Sequence, residues 1–372
     1  MKIGIDGTAL AIKFPCGTKH YSEQLIFALA NIDKENDYVI FSKQKVSIPK
    51  QANFRLKIIP ARIPIFKRQL LLPYYAGKEK LDVFHYLEPF GSVFNRHPKI
   101  ITTVYDIDLG KIFPKILDLK FTVRRLYMEI ARKFTFKKTR HFIAISDYTK
   151  LQLISYLKRI KVKNPHITTT ALAQGTSFKI LNNIKKPNKN YFLCMGDFSP
   201  RKNIIGIFKA YALLPEKVKI KYGLYIVVSN NAPKEKLLKK AENLDILGHI
   251  KLIESPKLGK LVKLYNQATV FLYPSLYEGF GLPILEAMAC GCPVITSSRG
   301  ATKETTGNAG LLVDPTNTKP LVNALEKIII NSRLKNKLIS RGLKRVKNYS
   351  WERTASETLK IYKLAQEFSS SH

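Results

Sequence analysis

Two glutamates bracket a glycine-bearing turn in the run Glu278-Gly279-Phe280-Gly281-Leu282-Pro283, which continues to Glu286. A carboxylate has two acceptor oxygens and matches the vicinal hydroxyls of a sugar. Gly279 and Gly281 let the backbone approach a ligand closely. Pro283 stands where a helix would begin, because the missing proline N–H is no loss at the first helical position. A helix N-terminus behind a glycine turn offers N–H groups and partial positive charge to an anion. Glu286 is expected on the first turn of that helix. Earlier in the chain, Arg201 and Lys202 follow a strand pattern that ends at Gly196. The implied chemistry is capture of a phosphate group flanked by sugar hydroxyls, with fixed cations and aimed donors steadying any charge that develops on it.

Such a turn works only if a strand delivers it and a helix continues it. Short β-rich runs alternate with helical patterns along the whole chain, at 2–6, 38–41, 54–59, 82–85, 99–105, 141–145 and 166–170. The alternation restarts at 191–195, 222–228, 251–253, 268–273, 292–296 and 310–313. This is the pattern of doubly wound α/β units with parallel sheets. The polar stretch KILNNIKKPNKN at 179–190 reads as a linker. The expected organisation is a Rossmann-like domain over 1–178, a hinge over 179–190, a second Rossmann-like domain over 191–350, and a helix over 351–372 crossing back to the first. One helix is expected over 320–347. Ligands of such sheets bind at the carboxyl ends of strands, so a central cleft faced by both domains is the expected site.

The chain has 372 residues, of which 45% are hydrophobic and 24% charged, so it is a folded protein of about two domains. It has no apolar run of about 18 residues and no signal-peptide pattern at its start, which leads to a cytoplasmic location. The four cysteines, Cys16, Cys194, Cys290 and Cys292, form no CxxC pair and are expected as free thiols. Lys+Arg 63 against Asp+Glu 27 gives a net charge of +36, spread over both halves. A chain this basic is drawn to phosphates.

The run EGFGLPILEAMACGCPVI resembles the signature of the group 1 family of retaining glycosyltransferases of the GT-B fold. PRKN at 200–203 resembles that family's phosphate-binding turn, and GLLVDP (310–315) and YSWERTASETLKIYK (349–363) resemble its C-terminal elements. The resemblance covers nearly the whole chain. It implies two Rossmann-like domains facing a central cleft, and transfer of a hexose, such as mannose or glucose, from a nucleotide diphosphate sugar to an acceptor hydroxyl. It also implies no cofactor and no metal, the nucleotide sugar being the substrate. Carried over by position, Glu278 contacts the donor sugar and Glu286 the ribose. Phe280, Gly281 and Leu282 offer backbone N–H groups to the diphosphate, and Lys202, with Arg201 beside it, neutralises it. Gly17, in Cys16-Gly17-Thr18, resembles the family's glycine loop of the first domain. Asp106 stands where relatives carry a His-Asp pair, with Tyr105 in place of the histidine. Asp197 stands after Gly196 where many relatives have arginine.

Asp106 and Asp108 form a DxD, a weak signal against which the other motifs argue, and no His/Cys/Asp/Glu cluster has metal-ligand spacing. His85 is read as a satisfied structural histidine. Two basic-apolar stretches, 62–75 and 111–140, suit an anionic membrane surface, the second holding ten basic and two acidic residues. They make the inner membrane face a candidate peripheral location and a glycan or lipid-linked molecule the expected acceptor. Competing readings are a nucleotide-sugar epimerase of the same architecture and a non-enzymatic basic binder. No helix-turn-helix, zinc-finger or RNA-binding motif supports a nucleic-acid partner.

Overall fold

The computed structural model describes the chain except residues 13–15, 61–66, 96, 98, 108–118, 186, 197–198, 231 and 368–372. The chain divides into two compact units, Met1–Leu172 with Ser350–His372, and Ala173–Tyr349. The first unit runs β1 (Lys2–Asp6), α1 (Gly17–Ile32), β2 (Asp37–Ser42), β3 (Phe54–Ile58), α2 (Leu72–Gly77), β4 (Val83–Tyr86) and β5 (Ile100–Val104). It continues through α3 (Leu119–Lys138), β6 (Thr139–Ala144), α4 (Asp147–Arg159) and β7 (His166–Thr169). The seven strands are parallel in the order β3-β2-β1-β4-β5-β6-β7. Every residue of β4 and β5 is buried. Helices covering both faces of a parallel sheet demand such continuous apolar strands rather than alternating ones.

The second unit runs β8 (Asn190–Met195), α5 (Ile204–Ala212), α6 (Glu216–Lys221), β9 (Tyr222–Val228), α7 (Lys234–Glu242), β10 (Ile250–Glu254) and α8 (Leu258–Gln267). Then come β11 (Val270–Tyr273), α9 (Leu282–Ala289), β12 (Val294–Ser297), α10 (Gly300–Thr306), β13 (Leu311–Val313), α11 (Thr318–Ile330) and α12 (Ser332–Val346). The six parallel strands order as β10-β9-β8-β11-β12-β13. The chain builds outward from β8 on one side, then crosses to β11 on the other. The neighbours β8 and β11 therefore mark the point where the winding reverses, where open α/β sheets part their loops and bind ligands. Two parallel-sheet Rossmann-like units make the chain α/β, as expected.

The last helix, α13 (Trp351–Glu367), belongs to the first unit. Its buried residues Trp351, Thr354, Ala355, Thr358, Ile361, Tyr362 and Ala365 fall on one helical face. Trp351 meets the rings of His20 and Tyr21 edge-on, and the Thr354 hydroxyl donates to the Ala171 carbonyl. Where one helix was expected over 320–347 there are two, α11 and α12, separated by Asn331. Asn331 leaves helical geometry, and its side-chain oxygen accepts from the Leu334 N–H at 2.8 Å, capping α12. All four cysteines are free, and three of them are buried. No helix among the described residues is long and apolar enough to cross a membrane.

Candidate functional site

The site assembles where β8 and β11 release their chains. After β8 the chain passes Gly196 and makes a short 3-10 turn, Pro200–Lys202, before Asn203 turns it into α5. Asn203 has a left-handed backbone, with φ 54°. Its side-chain amide donates to the carbonyls of Pro274 (3.0 Å) and Pro315 (2.7 Å). The Leu276 N–H donates to the Arg201 carbonyl at 2.8 Å. These bonds fasten the turn after β8 to the loop after β11, so each positions the other.

Glu278 is the centre of the arrangement. Its carboxylate is buried and accepts from Arg201 Nη1 at 2.7 Å, from Lys202 Nζ at 2.7 Å and from the Tyr273 hydroxyl at 2.9 Å. Lys202 Nζ also donates to the Tyr273 hydroxyl and lies 4.7 Å from the centre of that ring. Burial alone would raise the Glu278 carboxyl. The charges of Lys202 and Arg201, with the hydrogen bonds to it, outweigh burial and hold it below the ordinary carboxylate value. Glu278 is therefore a fixed anion and a weak base. Among the described residues, two cations converge on this one carboxylate at the end of a strand.

Gly281 precedes α9 with φ 94°, a left-handed backbone that glycine adopts without cost. A Cβ there would lie 3.0 Å from Ile284 Cδ1 and 3.5 Å from Thr302 Cγ2. Leu282 is the first residue of α9 and Pro283 the second, one position later than predicted. The amides of Phe280, Gly281 and Leu282 donate to no described residue, whereas the Ile284 N–H is taken by the Gly281 carbonyl at 2.9 Å. Phe280 itself is buried, its ring edge-on to Tyr349 and its carbonyl accepting from the Thr305 hydroxyl at 2.5 Å.

Glu286 is the fifth residue of α9, not on its first turn. A first-turn carboxylate would stabilise the helix end, whereas this one lies deeper and partly buried. Its Oε2 accepts from the Tyr265 hydroxyl at 3.1 Å. Burial pushes its carboxyl up to about 7, an effect that the Tyr265 hydrogen bond offsets only in part. Burial also lifts the Tyr265 and Tyr273 hydroxyls well above their ordinary value, so both remain protonated donors.

Arg201, Lys202, Glu278, Phe280, Gly281, Leu282 and Glu286 all lie in the second unit, whereas Gly17 and Asp106 lie in the first. Gly17 opens α1, and a Cβ there would meet nothing within 4 Å, so packing does not require glycine. Asp106 follows β5 and is half-buried. Tyr105 donates its hydroxyl to the Leu87 carbonyl at 2.7 Å and packs edge-on against Tyr21. His85 is fully buried, with Nδ1 2.8 Å from the Tyr362 hydroxyl and Nε2 2.9 Å from Thr103 Oγ1. Burial lowers its pKa to about 3, so it is a neutral structural residue, as read from the sequence. Asp108 and Asp197 lie outside the described residues.

Several members of the site escaped the sequence reading. Tyr273 and Tyr265 sit in apolar runs, where their hydroxyls look incidental. Asn203 was noted only as the end of PRKN. Apart from this site, within the first unit, Asp6 ends β1 and accepts from Arg68 Nη2 at 3.2 Å, while Arg68 pairs with Glu88 at 2.9 Å. Only a spatial map brings these three together.

Residues 177–345 match the family model of glycosyl transferases group 1. Over 282 residues the chain is 29% identical to O-antigen chain mannosyltransferase B of Escherichia coli, an alignment covering 73% of this chain and 71% of that protein. Sucrose-phosphate synthase from Thermosynechococcus elongatus has a similar structure, with a TM-score of 0.77 at 22% identity over 100% of both chains. Anabaena Alr3699/HepE, in complex with UDP and glucose, superposes with a TM-score of 0.74 at 14% identity, covering 98% of this chain and 99% of that one.

Proposed function

We propose that this chain, which belongs to the group 1 glycosyl transferases, moves a hexose from a nucleoside diphosphate sugar to an acceptor hydroxyl with retention of anomeric configuration. The observation that carries the reading is the Glu278 carboxylate, held ionised between Arg201 and Lys202 beside the left-handed turn that opens α9. Mannose is the first candidate sugar, supported by the O-antigen chain mannosyltransferase B likeness, and a growing cell-surface polysaccharide is the matching acceptor. Glucose is the next candidate, since the Anabaena neighbour holds UDP and glucose.

In this reading the diphosphate lies against Lys202 and Arg201 and receives the amides of Phe280, Gly281 and Leu282. Glu278 faces the sugar hydroxyls, and Glu286 in its ionised form accepts from the ribose diol. The bond from the anomeric carbon to the diphosphate breaks, and the acceptor oxygen forms the new bond on the same face. The acceptor proton passes to the departing phosphate oxygen, because the depressed Glu278 is too weak a base to take it. Negative charge grows on the leaving diphosphate, and cations already in place stabilise it without reorganisation. Epimerisation and nucleic-acid binding find no comparable support.

The test is a thermal-shift panel of UDP-, GDP-, ADP- and TDP-linked sugars. A ligand stabilises its protein in proportion to the logarithm of its concentration over Kd. One nucleotide series should raise the melting temperature of the unit that carries Glu278. A panel with no shift at millimolar concentration would count against the proposal.

A further inference from the structure

We infer that Thr305 is a positioning residue for the diphosphate. Its hydroxyl fixes the peptide between Phe280 and Gly281 so that the Gly281 N–H is aimed at a phosphate oxygen. The inference rests on the reading of the turn before α9 as the diphosphate site. The Phe280–Gly281 peptide is trans. In a trans peptide the carbonyl and the N–H that follows it point in opposite directions. The buried Thr305 hydroxyl donates to the Phe280 carbonyl at 2.5 Å, which draws that carbonyl toward α10. The Gly281 N–H is thereby turned to the side of the turn away from α10. The Gly281 carbonyl is held in the same manner by the Ile284 N–H at 2.9 Å, and the Leu282 N–H points out of the helix start. Gly281, at φ 94°, has no side chain to restrict the rotation of this peptide, so its direction depends on a partner from another element.

Helix α10 supplies that partner. Three of its seven residues are threonines, which lowers its helix propensity, and two of the three face the turn. Thr302 and Thr305, three residues apart, share one helical face. The Thr302 hydroxyl donates to the carbonyls of Ser297 at 3.1 Å and Arg299 at 2.7 Å. Its methyl group lies 3.5 Å from where a Cβ on Gly281 would stand.

The far end of α10 is clamped from α12. Arg345 Nη2 donates to the Glu304 carbonyl at 2.7 Å, and its Nε donates to the Thr305 carbonyl at 3.1 Å. A guanidinium there satisfies carbonyls that the helix leaves open and meets the negative end of its dipole. Arg345 Nη2 also donates to the Tyr349 hydroxyl at 2.8 Å, and the Tyr349 ring packs edge-on against Phe280. Phe280 is therefore held twice, by its carbonyl through Thr305 and by its ring through Tyr349, and both holds lead back to Arg345. A hydroxyl that only satisfied a buried carbonyl would matter to folding alone. One that aims an amide also changes what the amide binds.

The experiment takes whichever of UDP, GDP, ADP and TDP binds wild type most tightly by calorimetry. Kd values for that diphosphate and for its nucleoside are then measured on Thr305→Val, Thr305→Ser and Arg345→Met, with a thermal melt of each. Valine keeps the shape of threonine without the hydroxyl. Thr305→Val should weaken the diphosphate by roughly ten-fold, the scale of one hydrogen bond to a charged group, and leave the nucleoside as in wild type. Thr305→Ser keeps the hydroxyl and should restore wild-type affinity. Arg345→Met keeps the hydroxyl but releases the end of α10, and should give a smaller loss for the diphosphate alone. A diphosphate preference that survives Thr305→Val would overturn the inference, as would equal losses for diphosphate and nucleoside. If Thr305→Val does not fold, an unchanged preference in Arg345→Met overturns it instead. Wild type with no preference for the diphosphate over the nucleoside would remove the reading of the turn, and the inference with it.

Discussion

Replacing Glu286 with glutamine should make the protein more stable at pH 8 and a poorer binder of its nucleotide. In an unfolded chain a glutamate ionises near 4.5, but burial pushes the Glu286 carboxyl up to about 7. Below the unfolded value both states are protonated and the group is neutral to stability. As pH rises from about 4.5 to 7 the unfolded chain ionises first, so folding loses stability through that window. Above it the loss is complete. A shift of two to three units at about 1.36 kcal/mol each gives about 3 kcal/mol as a ceiling. Glu286 keeps part of its surface in solvent, and screening brings the expected figure to about 1–2 kcal/mol. Glutamine keeps an oxygen for the Tyr265 hydroxyl and has no charge to desolvate. For a unit of this size that corresponds to a gain of roughly 3–6 °C at pH 8, shrinking toward zero at pH 4. Melting curves of both proteins across this range, read with nucleotide titrations at pH 8, supply the test. A glutamine variant that melts in parallel with wild type at every pH, or below it at pH 8, would refute the reasoning.

Three further outcomes follow from the geometry. Glu278→Gln removes the anion between two cations, so nucleoside diphosphate affinity should hold or rise while turnover falls by roughly 100-fold or more, measured by calorimetry and product release. Gly281→Ala forces a side chain onto a φ of 94° and within 3.0 Å of Ile284. It should cost about 1–2 kcal/mol in denaturant unfolding and weaken nucleotide binding with it. Tyr362→Phe leaves buried His85 Nδ1 without its partner. It should destabilise the first unit by about 1–2 kcal/mol and leave nucleotide affinity in the second unchanged.

What the sequence made legible were features written in consecutive residues. The strand before Pro274, the glycine turn and the start of α9 each carry a local signal, and the helix begins one residue from the predicted position. The parallel order of the strands follows from the same alternation. Less visible were features that depend on burial or on distant partners. Asn331-Ser332 is a capping signal inside a long helical pattern, and propensity summed over 320–347 conceals it. Helix α10 is hard to see in the sequence because it is only seven residues long, three of them threonines, and begins at Gly300 and ends before Gly307, both with positive φ. The sequence puts Glu286 on the first turn because Pro283 marks a first helical position, whereas α9 starts at Leu282 and Glu286 is its fifth residue. The hydroxyls of Tyr273 and Tyr265 lie in strand and helix positions that pattern alone assigns to the core. Their role appears only when Glu278 and Glu286 are seen beside them.

The central claim is that the cations after β8 and the turn before α9 together hold a diphosphate. Calorimetric Kd values for the nucleoside, its monophosphate and its diphosphate, measured on wild type and Lys202→Ala, address it directly. Wild type should prefer the diphosphate by at least about ten-fold, and the alanine variant should lose most of that preference while binding the bare nucleoside as before. Equal loss for all three ligands, or an unchanged preference for the diphosphate, would contradict the assignment.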